Sequence, residues 1–501
     1  MINIEEITRF CKEKGFVYQD SEIYGSAAGF WDFGPLGVEL KNNIKNNWWK
    51  TFVHSREDVV GIDGSIITDR KIWEASGHTN SFVDAILECK KCKTKIRADH
   101  LIEDKLKRDI TGMNLDELNF LINEHKIKCP RCGGDFEKAK EFNLMFKTNI
   151  GPVEGNISYL RPETAQLIFA NFKLVQENAR LKLPFGIAQI GKAFRNEISP
   201  RDFLFRCREF EQMEIEFFAR NDKINDCPFI NEIKNFKFNL VTENENELRE
   251  VTVEDFIDLK LTSKWHTYWL IQAYKWFLDL GIKQENLRVR QHKKEELAHY
   301  ATACFDIEYR FPFGWKEIHG SADRTQYDLT QHIKHSKKNL SIYDEELKTK
   351  VIPYVVAEPS QGLERAFLAF LFDAYTEDKK RDNIVLKLHP ILAPVKVGVF
   401  PLLSNKPKIV EKSKEIFDML KTEFHCFHDV SGSIGRRYAR QDEVGTPYCI
   451  TIDFDSLKNK DVTIRNRDDT KQRRVKIKDL KETLTKLLNQ KIRFEKAGKS
   501  L

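Results

Sequence analysis

Two segments rich in arginine and glutamate constrain the fold of this chain most strongly. One reads Phe-Arg-Asn-Glu at 194–197, and the other spans 205–214. Both alternate in polarity, which predicts β-strands whose successive side chains point to opposite faces of a sheet. One face is predicted to carry Gln189, Arg195, Glu197, Phe210, Gln212, Glu214 and Glu216. The opposite face is predicted to bring Met213, Ile215 and Phe217 into the core.

The connection between these strands separates two interpretations of the charged face. A hairpin with one solvated face is common in antiparallel sheets, but a short turn usually closes it. Here the connection contains Ser-Pro-Arg-Asp, and Phe203, Phe205 and Phe210 lie among the charges. Arginine binds phosphate with its planar guanidinium, a carboxylate accepts from an amine, and an aromatic ring stacks on a base. The sequence therefore favours a nucleotide-binding face.

These residues resemble motif 2 of the class II aminoacyl-tRNA synthetases. Motif 1 of that family resembles Gly-Phe-Trp-Asp-Phe-Gly-Pro-Leu-Gly at 29–37, which leads into a predicted helix, 38–52. Motif 3 resembles Glu-Pro-Ser-Gln-Gly-Leu-Glu-Arg at 358–365, before a predicted helix, 366–375. Between them lies Arg-Pro-Glu-Thr-Ala-Gln, the predicted start of a helix 162–178. The ordered set covers nearly the whole chain and narrows the resemblance to the single-chain, homodimeric glycyl-tRNA synthetases.

The resemblance implies an α+β fold. Its catalytic core would be an antiparallel sheet flanked by helices, with insertions, followed by a C-terminal α/β anticodon-binding domain. The chain's own pattern supports the last part, since strand and helix signals alternate beyond residue 388. The predicted divisions are 1–88 (core with motif 1), 89–140 (Cys-rich insertion), 141–220 (core with motif 2), 221–286 (helical insertion), 287–385 (core with motif 3) and 390–501 (anticodon-binding domain with a basic end).

Composition is ordinary for a soluble globular protein. The chain has 501 residues, of which 41% are hydrophobic, and it shows no apolar run of membrane-spanning length. The acidic, amphipathic start differs from a secretory signal, so we expect a cytoplasmic protein with no membrane partner. Net charge is +6, but 456–501 holds 15 Lys and Arg against 6 Asp and Glu. Such an end is often merely solvated, yet it also attracts RNA, and the resemblance implies tRNA(Gly) as a partner.

The resemblance also implies a reaction. ATP with Mg²⁺ would activate glycine as glycyl-adenylate, and the 3′-terminal hydroxyl of tRNA(Gly) would then accept the glycyl group. This chemistry needs positioning and charge neutralisation more than a nucleophilic side chain. Arg195 and Arg365 would be the catalytic residues, Glu197 and Phe210 would hold adenine, and Arg206 or Arg208 would meet the outer phosphates. The implied ATP-binding set is Arg195, Asn196, Glu197, Phe205, Arg206, Cys207, Arg208, Glu209, Phe210, Glu317, Ile318, Gly362, Leu363, Glu364 and Arg365.

Glycine has no side chain, so its ammonium is the feature that carboxylates can recognise. The resemblance places Glu163, Glu214 and Glu358 around it. Three acids repel one another in an empty site, so packing alone rarely favours them. Larger amino acids would be excluded by lack of space, and we expect no editing domain. The implied glycine-binding set is Arg97, Glu163, Phe210, Glu211, Gln212, Met213, Glu214, Glu358, Pro359, Ser360, Gln361 and Gly362.

Two Cys-x2-Cys pairs indicate a metal site. Cys89 and Cys92 form one pair, and Cys129 and Cys132 form the other, in a Cys-Pro-Arg-Cys-Gly-Gly context. Four thiolates are a common structural zinc set. The alternative is four reduced, unligated thiols, as expected in a reducing compartment. We favour a structural zinc with no catalytic role.

Two residues depart from the family pattern. Leu167 stands where the family usually has glycine, and Gln326 stands where an acid is more common. Two other functions stay open at this point. One is a non-catalytic relative that only binds nucleic acid, against which the intact Arg195, Glu197 and Arg365 argue. The other is a class II synthetase for a different amino acid.

Overall fold

A nine-stranded sheet forms the centre of the protein. The computed structural model describes residues 2–108, 110, 112–152, 155–243, 247–298 and 300–500. Neighbouring strands are antiparallel except in two pairs, Phe185–Phe194 with Val59–Ile62 and Lys237–Val241 with Leu287–Gln291. In spatial order the strands are Arg249–Thr252, Lys237–Val241, Leu287–Gln291, Ala303–Phe311, Gly314–Asp323, Tyr354–Gly362, Glu209–Ala219, Phe185–Phe194 and Val59–Ile62.

Three long helices contribute to the largest hydrophobic core of the protein, together with one face of this sheet. They are Pro35–Trp49, Lys264–Asp279 and Leu363–Ala374, and the first continues as a π-helical turn, Lys50–His54. Met213, Ile215 and Phe217 lie in the same core, so the inward face predicted for their strand is confirmed. Two further helices, Ala165–Asn178 and Tyr327–Ser336, contribute to a second core.

Local capping signals fix several helix ends. Ile4–Lys14 begins with a capping box between Asn3 and Glu6, and it ends at Gly15, whose φ of 79° suits glycine. Leu115–Glu124 has the same kind of box at Asn114 and Glu117. A third box, between Thr252 and Asp255, lies at the start of Val253–Asp258.

The cysteine pairs belong to a compact insertion with a core of its own. Its three-stranded sheet consists of Lys95–Arg97, Val83–Glu88 and Lys140–Asn143. The helices Ala98–Leu106 and Leu115–Glu124 pack on it. The insertion therefore holds its shape through apolar contacts as well as through the cysteines.

The C-terminal part is a separate α/β unit with its own core. Three strands are parallel and three are antiparallel, in the order Cys426–His428, Val397–Pro401, Tyr448–Ile452, Asp461–Asn466, Gln472–Lys476 and Lys499–Ser500. The α/β character predicted from the alternating strand and helix signals is confirmed. The helices of this unit are Pro407–Leu420, Ile434–Val444, Phe454–Asn459 and Leu480–Leu488.

Short elements complete the fold. The paired strands are Val17–Gln19 with Trp31–Phe33, Ile67–Thr68 with Ile157–Leu160 and Lys147–Asn149, Ile342–Asp344 with Thr349–Val351, and Tyr375–Asp378 with Asn383–Leu386. The short helices are Arg70–Ala75, His78–Ser81 and Ile230–Ile233. Among the described residues, none of the helices has the length and apolarity needed to cross a membrane.

Two parts of the predicted architecture differ from the structure. The segment 221–286 is not only helical, because its strands Lys237–Val241 and Arg249–Thr252 extend the central sheet. The helix predicted from 162 begins at Ala165. Pro162 and Glu163 stay outside it because they serve other contacts: the Pro162 carbonyl accepts from Arg195 at 3.1 Å, and Glu163 lies 3.2 Å from His78.

Candidate active site

A cavity of about 200 Å³ lies on the polar face of the central sheet. Strands, a helix start and three connecting segments supply its walls, so residues far apart in the chain meet there. Its lining residues are Glu163, Arg195, Glu197, Leu204, Phe205, Arg206, Cys207, Phe210, Gln212, Glu214, Tyr300, Glu317, Glu358, Ser360, Gly362, Glu364 and Arg365. Most of the side chains predicted to bind ATP or glycine thus line one space.

Arg195 and Arg365 supply positive charge next to aromatic rings in this cavity. Arg195 follows the strand Phe185–Phe194, and its guanidinium lies 5.3 Å from the centre of the Phe210 ring. Arg365 lies in the first turn of Leu363–Ala374, where it donates to a Glu317 carboxylate oxygen at 2.7 Å. Its guanidinium also lies over the Phe205 ring at 4.5 Å. Two planar cations next to aromatic rings match the needs of a nucleoside triphosphate.

The structure distinguishes the two arginines proposed for the outer phosphates. Arg206 lines the cavity, 3.3 Å from His100 of the cysteine insertion. Arg208 instead donates to the backbone carbonyls of Ala28 and Glu197, outside the cavity lining. A 3-10 turn at Phe203–Phe205 interrupts the strand alternation before these residues, which is why the pattern alone left both possible.

Several predicted site residues direct their side chains elsewhere. Strand alternation buries Met213 in the core, and Ile318 and Leu363 lie there too. Glu211 pairs with Lys41 at 2.6 Å, and Arg97 pairs with Asp84 at 2.6 Å. Other predicted residues outside the cavity lining are Asn196, Glu209, Pro359 and Gln361. They are chain neighbours of the lining residues rather than part of the wall.

The other end of the cavity is acidic. Glu214 lies opposite Gln189 on one neighbouring strand and opposite Ser360 on the other. Glu358, from the same strand as Ser360, and Glu163 complete the acidic wall. Each carboxylate comes from a separate segment, 163, 209–219 or 354–362, and only the fold brings them together. Such a wall suits an ammonium group.

A fourth acid lies directly behind this wall. Glu216 is fully buried, and carboxylate oxygens of Glu214, Glu216 and Glu358 lie within 4.8 Å of one another. Two like charges at that separation repel by roughly 3 kcal/mol at an effective dielectric constant near 20. Burial first, and then the neighbouring acids, raise the pKa of Glu358 to about 8 and that of Glu216 well above its ordinary value.

One arginine balances part of this charge. Arg324 donates to Glu358 at 2.6 Å and to Asp328 at 2.8 Å. Burial alone would raise the pKa of Glu163, but His78, Arg324 and Gln166 hold it well below its usual range. The acidic wall therefore contains one firmly ionised carboxylate, Glu163. In Glu214 and Glu358, burial and repulsion between the acids favour the neutral form.

The sequence did not single out four residues of this site. Arg324 and Asp328 form a salt bridge four residues apart, a spacing that was a usable signal. His78 contacts Glu163 across the site, and Tyr300 lines the cavity with its ring 3.9 Å from Arg324. No short sequence pattern marks His78 or Tyr300.

The departures from the family pattern lie outside the cavity lining. The Leu167 side chain packs against Gly64. A Cβ added to Gly64 would lie only 2.6 Å from a Leu167 carbon. Gln326 donates its amide hydrogen to the backbone carbonyl of Ile352. Neither residue changes the charges that face the site.

The four paired cysteines converge on one point of the insertion. The sulfur atoms of Cys89 and Cys132 are 3.5 Å apart, and those of Cys92 and Cys129 are 3.7 Å apart. All four lie within 4.8 Å of one another. Four sulfur donors at such distances fit tetrahedral coordination of zinc.

A mostly antiparallel sheet with helices, ordered motifs around one cavity and a separate C-terminal α/β unit define a class II aminoacyl-tRNA synthetase. Residues 396–487 match the family described as "Anticodon binding domain". The chain is 47% identical over 503 aligned positions to the glycine–tRNA ligase of Caldanaerobacter subterraneus subsp. tengcongensis, covering 98% of this chain and 99% of that protein. It is 46% identical to that of Clostridium kluyveri, with the same coverage, and 47% identical to that of Geobacillus thermodenitrificans, covering 96% and 97%. The chain belongs to the glycine–tRNA ligase family.

Proposed function

We propose that this protein ligates glycine to tRNA(Gly) at the expense of ATP. Glycine is first activated as glycyl-adenylate, and the 3′-terminal hydroxyl of the tRNA then accepts the glycyl group. The observation that carries the proposal is a single cavity with arginines and aromatic rings at one end and glutamates at the other. The family relationship over nearly the full chain supports the same activity.

The arginine end binds ATP in this proposal. Adenine stacks on Phe210 and donates its amine hydrogen to Glu197, while Arg195 contacts the α-phosphate. When the glycine carboxylate attacks the α-phosphorus, the bond to pyrophosphate breaks, and Arg195 stabilises the charge that develops on the α-phosphate. Arg206 and Arg365 hold the departing pyrophosphate. The protein contributes little covalent chemistry, because positioning and charge stabilisation account for most of the rate enhancement.

A magnesium ion fits next to these phosphates. The Glu317 carboxylate lines the cavity. A Cβ added to Gly320 would lie 3.5 Å from a Glu317 carboxylate oxygen and 3.9 Å from one of Asp306, so the two oxygens lie near the same point. Carboxylate oxygens are hard ligands of the kind that Mg²⁺ prefers. These two residues would hold the ion, which neutralises phosphate charge when bound.

The glutamate end selects glycine. Its ammonium is held by Glu163, Glu214 and Glu358, with the Ser360 hydroxyl nearby, so that its carboxylate points towards Arg195. Gln212 lies beside Ser360, from which its amide is 3.4 Å distant. A side chain on the α-carbon would meet this wall, and crowding of that kind excludes larger substrates without an editing step.

The other parts of the chain serve assembly and tRNA. The C-terminal unit, 390–501, binds the anticodon through its positive charge, and we infer one structural zinc on Cys89, Cys92, Cys129 and Cys132. A homodimer formed next to motif 1 is supported by the exposed Ile23 and Tyr24, which are 88% and 87% accessible. None of the ten cysteines, all within the described residues, forms a disulfide bond, which supports a cytoplasmic location.

The deciding experiment is glycine-dependent ATP–pyrophosphate exchange, run beside alanine, serine, threonine and proline. We expect exchange with glycine alone, followed by charging of tRNA(Gly) when tRNA is added. Exchange with another amino acid would identify a different synthetase. Binding of tRNA without any exchange would identify a non-catalytic relative.

A further inference from the structure

Glu216 is an anomaly that the proposed function leaves unexplained. It is fully buried, and neither of its carboxyl oxygens has a hydrogen-bond partner among the described residues. Buried polar groups are nearly always paired, so each exception needs an account. Glu216 does not line the cavity, but it lies behind two residues that do, Glu214 and Glu358.

The charges around Glu216 come from several elements of the fold. Its own strand supplies Glu214, the strand Tyr354–Gly362 supplies Glu358, and the helix Tyr327–Ser336 supplies Asp328. Arg324 is the cation that acts on Glu216, and its guanidinium donates hydrogen bonds to Glu358 and Asp328. On the remaining side, the strand Phe185–Phe194 places the apolar Ile187 opposite Glu216. Four carboxyl groups thus share one guanidinium.

A cluster with this composition cannot be fully ionised at low cost. Burial and the neighbouring acids raise the pKa values of both Glu216 and Glu358. A proton held between the two carboxyls would supply the partner that Glu216 lacks and would remove one charge. The proton has a route out, because Glu358 reaches the cavity whereas Glu216 does not.

We propose that Glu216 is a positioning residue that shares one proton with Glu358 in the empty site, and that this proton leaves to solvent when the glycine ammonium enters. The proposal rests on the proposed function. The exchange is balanced, since one positive charge arrives as the ammonium and one leaves as the proton. The buried cluster therefore keeps the same net charge before and after binding.

Because of this exchange, the pocket should bind a cationic ligand more tightly than a neutral one. A neutral molecule of the same size brings no charge that could replace the proton, so its entry leaves Glu358 protonated and unable to accept from it fully. The exchange also makes glycine affinity depend on pH. Because binding releases a proton, affinity rises with pH until Glu358 is already ionised in the free protein.

The test is calorimetric titration of the full-length protein with glycine near pH 7, in phosphate and in Tris. These buffers differ in ionisation enthalpy, so the difference between the heats counts the protons released. We expect close to one proton per glycine, and a KM for glycine in pyrophosphate exchange that falls about tenfold from pH 6 to pH 7. Equal heats in both buffers would overturn the proposal without any variant.

Glu216→Gln provides the second arm. Its amide keeps the shape and donates to an ionised Glu358, so we expect proton release to disappear and the KM for glycine to become independent of pH, with the KM for ATP unchanged. Asp373→Asn is the matched control, because Asp373 is another acid whose pKa burial raises but which contacts Asn286 and Tyr309 instead.

The possible results distinguish failure of the inference about Glu216 from failure of the proposed function. A control variant that also loses proton release, or a Glu216→Gln protein that still releases one proton, would place the proton elsewhere and overturn the inference. A variant whose KM for glycine rises equally at every pH would show that Glu216 is ionised and would also overturn it. A protein that binds ATP but gives neither glycine heat nor exchange would refute the proposed function itself.

Discussion

The Arg324 guanidinium lies 2.6 Å from a carboxylate oxygen of Glu358, one of the acids that line the cavity. Both side chains are almost fully buried, and Arg324 also holds Asp328. A buried pair of this kind adds little net stability compared with apolar residues, yet removing one member leaves the other charge uncompensated. Arg324 therefore determines whether an acidic pocket can exist in the folded protein at all.

We expect Arg324→Met to lower the free energy of unfolding by about 3–5 kcal/mol, since two buried carboxylates lose their counter-charge. Arg324→Lys should recover part of this loss, because lysine restores the charge without the planar fork. Urea unfolding measures both variants. Arg70→Met is the control, since its pair with Glu74 is exposed and should cost less than about 1 kcal/mol. Equal losses in the two methionine variants would contradict this role.

Arg195→Ala should reduce glycine-dependent pyrophosphate exchange by about 10²–10³-fold, because one preorganised donor to the transition state is lost. Arg195→Lys should recover only part of the activity, because it cannot bind the phosphate with two parallel hydrogen bonds. Arg201→Ala is the control in the neighbouring loop, where Arg201 contacts Asp202 at 3.6 Å. An Arg195→Ala protein with unchanged exchange would remove Arg195 from the proposed mechanism.

The sequence predicted the parts of this molecule that depend on neighbours in the chain. Alternation in 209–219 separated the core residue Met213 from the cavity residue Glu214. The roles of His78 and Tyr300, and the pairing of Arg324 with Glu358, depend on long-range strand and helix contacts, which a single sequence does not encode in any short pattern. Arg206 and Arg208 could not be separated because an irregular turn precedes them.

Stability should also respond to pH through the buried acids. Burial raises the pKa of Glu358 to about 8, so the folded protein binds more protons than the unfolded chain between the ordinary glutamate pKa and about pH 8. The contribution of this group to stability is therefore present at low pH and is lost as pH rises through that window. We expect Glu216→Gln to be more stable than the natural protein by roughly 1–3 kcal/mol at pH 8, with a smaller difference at pH 6.

Urea unfolding at pH 6 and pH 8, without glycine, measures this difference. Glu211→Gln serves as a contrast, because Glu211 is held by Lys41 and its pKa is lowered. That variant should be less stable than the natural protein at both pH values. A Glu216→Gln protein that is destabilised more at pH 8 than at pH 6 would show that Glu216 is ionised in the fold.

The cysteine insertion should contain one zinc ion per chain, because its four sulfur atoms converge within 4.8 Å. Cys129→Ser removes a ligand, and we expect the metal to be lost and the segment 89–140 to become sensitive to protease, although the core of the insertion retains some order. The insertion contacts the cavity through His100 and Arg206 at 3.3 Å, so the KM for ATP should rise, by less than the loss of exchange in Arg195→Ala. Metal analysis of Cys426→Ser, which changes a cysteine outside the cluster, should give the natural zinc content. Substoichiometric zinc in gently purified natural protein, or full zinc in Cys129→Ser, would identify the four residues as unligated thiols.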